Sequence, residues 1–193
     1  MRLEDNKIFA LDKIPSELDI FVVKFLKILE KYVDYVIISG YVSILLGRTR
    51  ATEDIDVFIK PMKKETFSEF YKELVKKDFW CLNGESEKEI LSYLEDGLAI
   101  RFAESGNYAP NFEIKYPKDD LDQETFGNYL TVVLKIGEIR ISSLERQIAF
   151  KKYYLASDKD VEDALHIEEL FKGKIDLEKV NKYRELIKLR RNL

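Results

Sequence analysis

Apolar positions change their period several times along the chain. Over 16–32, SELDIFVVKFLKILEKY, Ile20, Val23, Leu26 and Leu29 recur every three residues, which predicts an amphipathic helix. Ser16 with Asp19 three residues later resembles a capping box closed by the shorter acid. YVIIS (35–39) is a β-branched run ending at Gly40, the pattern of a strand feeding a turn. YVSILLG (41–47) follows as a short helix closed by Gly47, and DIDVFIK (54–60) as a strand stopped by Pro61. KETFSEFYKELVKKD (64–78) and SEKEILSYLEDG (86–97) return to helical spacing, the second with a capping-box start and a Gly stop. LAIRFAE (98–104) and NFEIKYP (111–117) alternate as strands, and YLTVVLKIGEIRIS (129–142) reads as strand, Gly turn and strand. From Ser143 the alternation stops. SLERQIAFKKYYLA (143–156), KDVEDALHIEELF (159–171) and DLEKVNKYRELIKLRRN (176–192) predict three consecutive helices. A boundary near residue 142 therefore separates a mixed α/β part, 1–142, from an all-helical part, 143–193.

Composition narrows the chemistry. With 193 residues and 46% hydrophobic content, the chain can bury a sizeable core. Its 32 basic and 36 acidic residues give a net charge of −4, which does not announce a nucleic-acid binder. The lone cysteine, Cys81, excludes an intrachain disulfide and fits a reducing compartment. The lone histidine, His166, excludes a His-rich zinc site, so any metal site must be built from carboxylates, which suit Mg²⁺ or Mn²⁺. No signal peptide and no run of 18 apolar residues is seen, so a soluble, cytoplasmic protein with no membrane contact is expected.

Within the strand 54–60, Asp54 and Asp56 flank Ile55. Alternation points both carboxylates the same way, about 7 Å apart along the chain, and turns Ile55, Val57 and Ile59 toward a core. Like charges so placed either lie on a wet edge or hold a cation. Upstream, the small residues Ser39 and Gly40 at a strand-to-helix turn let a backbone approach phosphate. An anion cradle beside a metal cradle is what a triphosphate–Mg²⁺ complex requires. In NFEIKY, Phe112, Ile114 and Tyr116 share one face, so Glu113 and Lys115 share the other. Glu113 is a candidate third carboxylate, or a residue of an exposed strand face.

The stretch SGYVSILLGRTRATEDIDVFI resembles the first motif of the DNA polymerase beta-like nucleotidyltransferase superfamily, and within it the minimal AbiEii/MenT-like group. That motif is a small-residue turn, a short helix, a basic or polar loop with Thr, and Asp-x-Asp. Ser39 stands where the group commonly has Gly, and Glu113 where it has Asp. A second likeness is QIAFKKYYLASDKDVEDALHI, similar to the group's lysine helix and its following Lys-Asp-x-x-Asp helix start. The resemblance covers roughly 36–60 and 144–170. It implies an α+β fold: a nucleotidyltransferase-type mixed β-sheet with helices packed on one face, plus a C-terminal helical bundle. It implies metal-dependent transfer of a nucleoside monophosphate from an NTP to a hydroxyl, with pyrophosphate leaving. Asp54, Asp56 and Glu113 would be catalytic and metal-binding, with Glu113 assisting deprotonation. Ser39, Gly40, Lys151 and Arg48 or Arg50 would bind the nucleotide, with Lys152 the rival of Lys151. Asp160 and Asp163 would order the helices near the site. The acceptor would be RNA such as tRNA, a protein or a small molecule. Members of the group include toxins, so an antitoxin partner enters the expectation.

Blander roles compete. Lys151 and Lys152 can snorkel at a helix edge, and Arg48 and Arg50 can be loop charges. His166 reads as a packing residue, Cys81 beside Trp80 as core, and SGNYAPNF (105–112) as a loop packed on the domain. The basic C-terminal segment from Lys172 reads as a solvated helix, with an RNA-facing surface as the other option. The competing function is a catalytically inactive nucleotidyltransferase-fold module that binds nucleotide or RNA.

Overall fold

The computed structural model describes residues 1–191. In chain order the elements are β1 (Arg2–Glu4), β2 (Lys7–Phe9), α1 (Glu17–Leu29), β3 (Tyr35–Ile37), α2 (Gly40–Leu45), β4 (Asp54–Ile59), α3 (Lys64–Lys76), β5 (Phe79–Cys81), α4 (Glu87–Glu95), β6 (Ile100–Glu104) and β7 (Asn111–Lys115). There follow α5 (Asp120–Gln123), a 3₁₀ turn (Glu124–Phe126), β8 (Tyr129–Leu134), β9 (Gly137–Ser142), α6 (Leu144–Phe150), a π-helical turn (Lys151–Leu155), α7 (Asp158–Leu170) and α8 (Leu177–Arg191). Among the described residues, nine strands form one mixed sheet in the order β1-β2-β8-β9-β3-β4-β7-β6-β5. The pairs β2–β8, β3–β9 and β4–β7 are parallel. The helix expected to end at Asn192 is described as far as Arg191, and Asn192 lies outside the described residues.

One face of the sheet is sealed by α1 and α3. The expected capping box at Ser16 and Asp19 is present and starts α1. Of the expected i, i+3 row, Val23, Leu26 and Leu29 are buried, and Ile20 at its start is 54% exposed. Phe21, Val22, Phe25 and Ile28 widen the buried stripe, because a strict three-residue repeat falls short of the 3.6-residue turn and drifts off the contact face at its first position. Phe25 stacks on Phe112 of β7 with ring centroids 4.0 Å apart and meets Phe79 of β5 edge-on at 5.1 Å. Phe70 of α3 meets Phe102 of β6 at 6.2 Å. These rings weld the helical layer to the β5-β6-β7 side.

The C-terminal helices are tied in by the small helix α5. Asp122 is buried and accepts from Arg146 Nη2 of α6 (3.0 Å) and Arg190 Nη1 of α8 (3.1 Å). Tyr183 Oη of α8 donates to Glu124 at 2.7 Å. Ser143, between β9 and α6, caps the helix by accepting from the Arg146 amide at 3.2 Å. The chain thus crosses residue 142 without a linker, and one hydrophobic core continues through Leu144, Ile148, Ile167 and Ile187. No helix among the described residues is long and apolar enough to cross a membrane.

Candidate active site

Asp54 and Asp56 lie on one face of β4, opposite the buried Ile55 and Val57. Strand register decides what stands beside them. Parallel pairing sets Asp54 beside Asn111 and Asp56 beside Glu113, and antiparallel pairing of β6 sets Arg101 beside Glu113. Arg101, Glu113 and Asp56 therefore form one row across three strands, where directly opposed side chains interact. Lys115 follows Glu113 on the same face and turns its ammonium back into this row. Its Nζ lies 2.7 Å from Asp56 Oδ1 and 3.1 Å from Glu113 Oε1. Arg101 takes the other oxygen, with Nη2 2.7 Å and Nε 3.2 Å from Glu113 Oε2. Burial alone would raise the Glu113 pKa, but the Arg101 hydrogen bond and the Lys115 charge hold it below the usual carboxylate value. Burial alone would likewise lower Lys115, and Asp56 and Glu113 more than reverse that. Asp54 is placed differently: its neighbour is the Thr52 hydroxyl, 3.3 Å from Oδ1.

The turn before the site is tight. Ser39 adopts φ 64°, ψ −137° and makes no side-chain cap bond. Positive φ is glycine territory, so a serine there carries strain. Gly40 is pressed from above: a Cβ would come 3.3 Å from Arg50 Nη2 and 3.5 Å from Thr52 Oγ1. The RTRAT loop is thus folded over the turn.

The basic residues expected at the nucleotide, Arg48, Arg50 and Lys151, converge on one carboxylate, Asp163. Lys151 Nζ lies 2.9 Å from Asp163 Oδ2 and 3.8 Å from Asp160 Oδ1, and the residue is 0% exposed. Arg50 pairs with the same Asp163 oxygen, and Arg48 Nε is 3.4 Å from the other. Arg48 also pairs with Glu162. Burial would raise the Asp163 pKa, yet Lys151 and Arg50 hold it below its ordinary value. Lys152 points elsewhere, with Nζ 2.7 Å from both oxygens of Glu168. Asp160 and Asp163 therefore tie α7 to the π turn and to the RTRAT loop.

Between the sheet and the C-terminal helices lies a cavity of about 390 Å³. Asp56, Phe58 and Lys115 line its sheet side, and Phe150, Lys151 and Tyr154 its helical side. Arg146 also lines it, with its guanidinium 3.9 Å from the Phe150 ring centroid. His166 sits away from the cavity, Nε2 3.1 Å from the Leu46 carbonyl, and Cys81 is buried. Of the segment expected as a loop over 105–112, Asn111 and Phe112 belong to β7; in the remainder, the Asn107 carbonyl accepts from Trp80 Nε1 at 3.0 Å and Tyr108 is 73% exposed. Arg190 of the basic C-terminal segment is bound to Asp119 and Asp122.

Asp54 and Asp56 offer hard oxygen donors that fit one Mg²⁺ or Mn²⁺. Among the described residues, no group of three His, Cys, Asp or Glu is arranged to hold an ion. The Lys115 ammonium stands between Asp56 and the third carboxylate, Glu113. Sequence reasoning put Lys115 on the right face but did not pair it. It missed Arg101, whose polar side chain between Ile100 and Phe102 was the available signal.

A mixed sheet with an Asp-x-Asp strand beside a cleft flanked by C-terminal helices defines the nucleotidyltransferase class of folds. Residues 17–190 match the family described as "Nucleotidyl transferase of unknown function (DUF2204)", and the chain belongs to that family. The solved antibiotic-resistance factor ANT(2'')-Ia shares the fold. Its solution structure aligns with TM-score 0.53 and 17% identity over 90% of this chain and 95% of that one. Its crystal structure with adenylyl-2''-tobramycin aligns with TM-score 0.57 and 16% identity over 91% and 99%. An antigenic nucleotidyltransferase-like protein from Paracoccidioides brasiliensis aligns with TM-score 0.49 and 20% identity over 90% and 88%. No curated protein sequence matches the chain.

Proposed function

We propose that the protein transfers a nucleoside monophosphate from an NTP to a hydroxyl-bearing acceptor with the help of Mg²⁺ or Mn²⁺. The observation that carries this reading is the pair Asp54 and Asp56 on one face of β4, with Asp56 lining a cavity that has aromatic walls. Asp54 and Asp56 would hold the ion, which when bound neutralises charge on the reacting phosphate. The acceptor oxygen bonds to the α-phosphorus, the bond to the bridging oxygen breaks, and pyrophosphate leaves with that electron pair. The hydroxyl proton passes to a carboxylate of this face. Glu113, engaged by two cations, keeps Lys115 and Arg101 in the row. Phe58, Phe150 and Tyr154 offer apolar walls that exclude water and suit a base. Ser39 and Gly40 would face the phosphates. Arg48, Arg50 and Lys151 would act through the Asp163 cluster that shapes the roof.

RNA, a protein or a small hydroxylated molecule is the acceptor. The adenylyl-2''-tobramycin held by ANT(2'')-Ia is the reason to test the last class first. Membership of the AbiEii/MenT-like group, a growth-inhibiting role and an antitoxin belong to the same proposal, as does a cytoplasmic setting with its NTP supply. A second reading, a nucleotide-binding module without turnover, is favoured by the Lys115 ammonium between Asp56 and Glu113. The test is incubation with each α-labelled NTP, Mg²⁺ or Mn²⁺, and separate pools of RNA, protein and small hydroxylated molecules. Label transfer that Asp54→Asn abolishes supports the enzyme. Saturable NTP binding with no transfer to any pool favours the binding module.

A further inference from the structure

Resting on the metal-dependent reading above, we infer that Lys115 is a built-in cation standing where a second divalent ion would sit, so that the site takes one ion, on Asp54 and Asp56. Three observations combine. Asp56 and Glu113 are register neighbours on parallel strands, so a cation between them touches both. The Lys115 ammonium is in that place, 2.7 Å from one and 3.1 Å from the other. Arg101 donates twice to the other Glu113 oxygen, from Nη2 at 2.7 Å and Nε at 3.2 Å, so both oxygens of Glu113 are already engaged by cations. An ion bridging the two carboxylates would need metal–oxygen distances of about 2.0–2.1 Å. It would overlap the ammonium and be repelled by it.

An ammonium has three N–H donors. Two are spent on Asp56 and Glu113, and Lys115 lines the cavity. The third donor is therefore available to a phosphate oxygen or to the attacking hydroxyl. Lys115 would thus supply a fixed positive charge and a directed hydrogen bond in place of the direct oxygen coordination that a second divalent ion would offer. Glu113 becomes a positioning residue that holds this cation, not a metal ligand.

The test counts Mn²⁺ by electron paramagnetic resonance and calorimetry on the full chain with a non-hydrolysable NTP analogue. Wild type should bind one Mn²⁺ per chain, Lys115→Arg one, and Lys115→Met two, the pair showing spin coupling expected of ions about 4 Å apart. Circular dichroism melts supply a second readout. Mn²⁺ should raise the melting temperature of Lys115→Met more than that of wild type, and should restore folding if the variant is unfolded without it. A spin-coupled pair in wild type overturns the inference while leaving the metal-dependent reading intact, as does a single Mn²⁺ in Lys115→Met. Failure of both proteins to bind Mn²⁺ overturns the inference together with that reading.

Discussion

Replacing Asp163 by Ala should cost more stability than any single change at the exposed surface. Asp163 is fully buried and receives Lys151, Arg50 and Arg48. Arg48 keeps Glu162 and part of its exposure, and Arg50 is also partly exposed, so both can rejoin solvent. Lys151 cannot, because it is 0% exposed, and its other partner, Asp160, is 3.8 Å away. Stranding a buried charge costs about 3–5 kcal/mol. For a chain of this length each kcal/mol moves the melting point by roughly 2–4 °C, so the variant should melt about 6–20 °C lower. Urea unfolding and calorimetry at pH 7 measure the loss. Lys151→Met should cost less, because Asp163 keeps two arginines. Adding Lys151→Met to Asp163→Ala should recover much of the loss, since the stranded ammonium is gone. The carboxyl of Asp163 lies below its ordinary 3.8 when folded. Its contribution is therefore complete above that value and disappears as pH falls through the folded pKa, where the unfolded chain already binds the proton. The stability gap between wild type and Asp163→Asn should close on that acid limb. A loss under about 1 kcal/mol at neutral pH, the size of an ordinary substitution, would show that the cluster does not hold the helices.

Ser39→Gly should leave stability level or raise it by about 1 kcal/mol, because relief of the positive φ offsets the extra freedom of unfolded Gly; a lower urea midpoint counts against strain at this turn. Asp54→Asn should remove Mn²⁺ binding and cut nucleotidyl transfer by about a thousandfold, given that metal charge stabilisation is worth several kcal/mol. Its melting curve should overlay wild type, and a thermal collapse would mean that Asp54 is structural. Arg101→Ala frees one oxygen of Glu113 but leaves Lys115 in place, so Mn²⁺ stoichiometry should stay at one; a second ion in that variant would assign the exclusion to Arg101.

Much of the fold was legible because long elements carry their own period. The capping box at Ser16, the Asp54–Asp56 strand and the helices after Ser143 all appear in the structure. Short edge elements were not legible. Residues 2–9 form a hairpin of two three-residue strands, turned by Asp5 and Asn6 at φ 44° and 60°. Phe79–Cys81 is another three-residue strand, too short for an alternation to register. The site divides in the same way. Each strand's outward face could be read along its own residues, which put Asp54 with Asp56 and Glu113 with Lys115. The register between strands could not. Only the pairing of β4, β7 and β6 shows that one ammonium serves two carboxylates and that Arg101 closes the row. The depth of α7 against Lys151, which buries the lysine in an ion pair with Asp163, is a tertiary fact.

The π-helical turn at Lys151–Leu155 makes chain length itself a determinant of this architecture. The Ala156 amide reaches back to the Lys151 carbonyl at 2.9 Å, five residues away, and Ala156 then leaves the helix at φ 56°. That turn holds one residue more than an α-helical turn accommodates. Deleting a single residue between 152 and 155 would let α6 run on as ordinary helix and displace all that follows by one step, about 100° around the axis. Asp163 would swing off Lys151 although no side chain of the cluster had changed. Insertions and deletions, which surface loops between helices usually absorb, should therefore be excluded from this stretch, and sequences that share the Asp163 cluster should share its length as strictly as its charges.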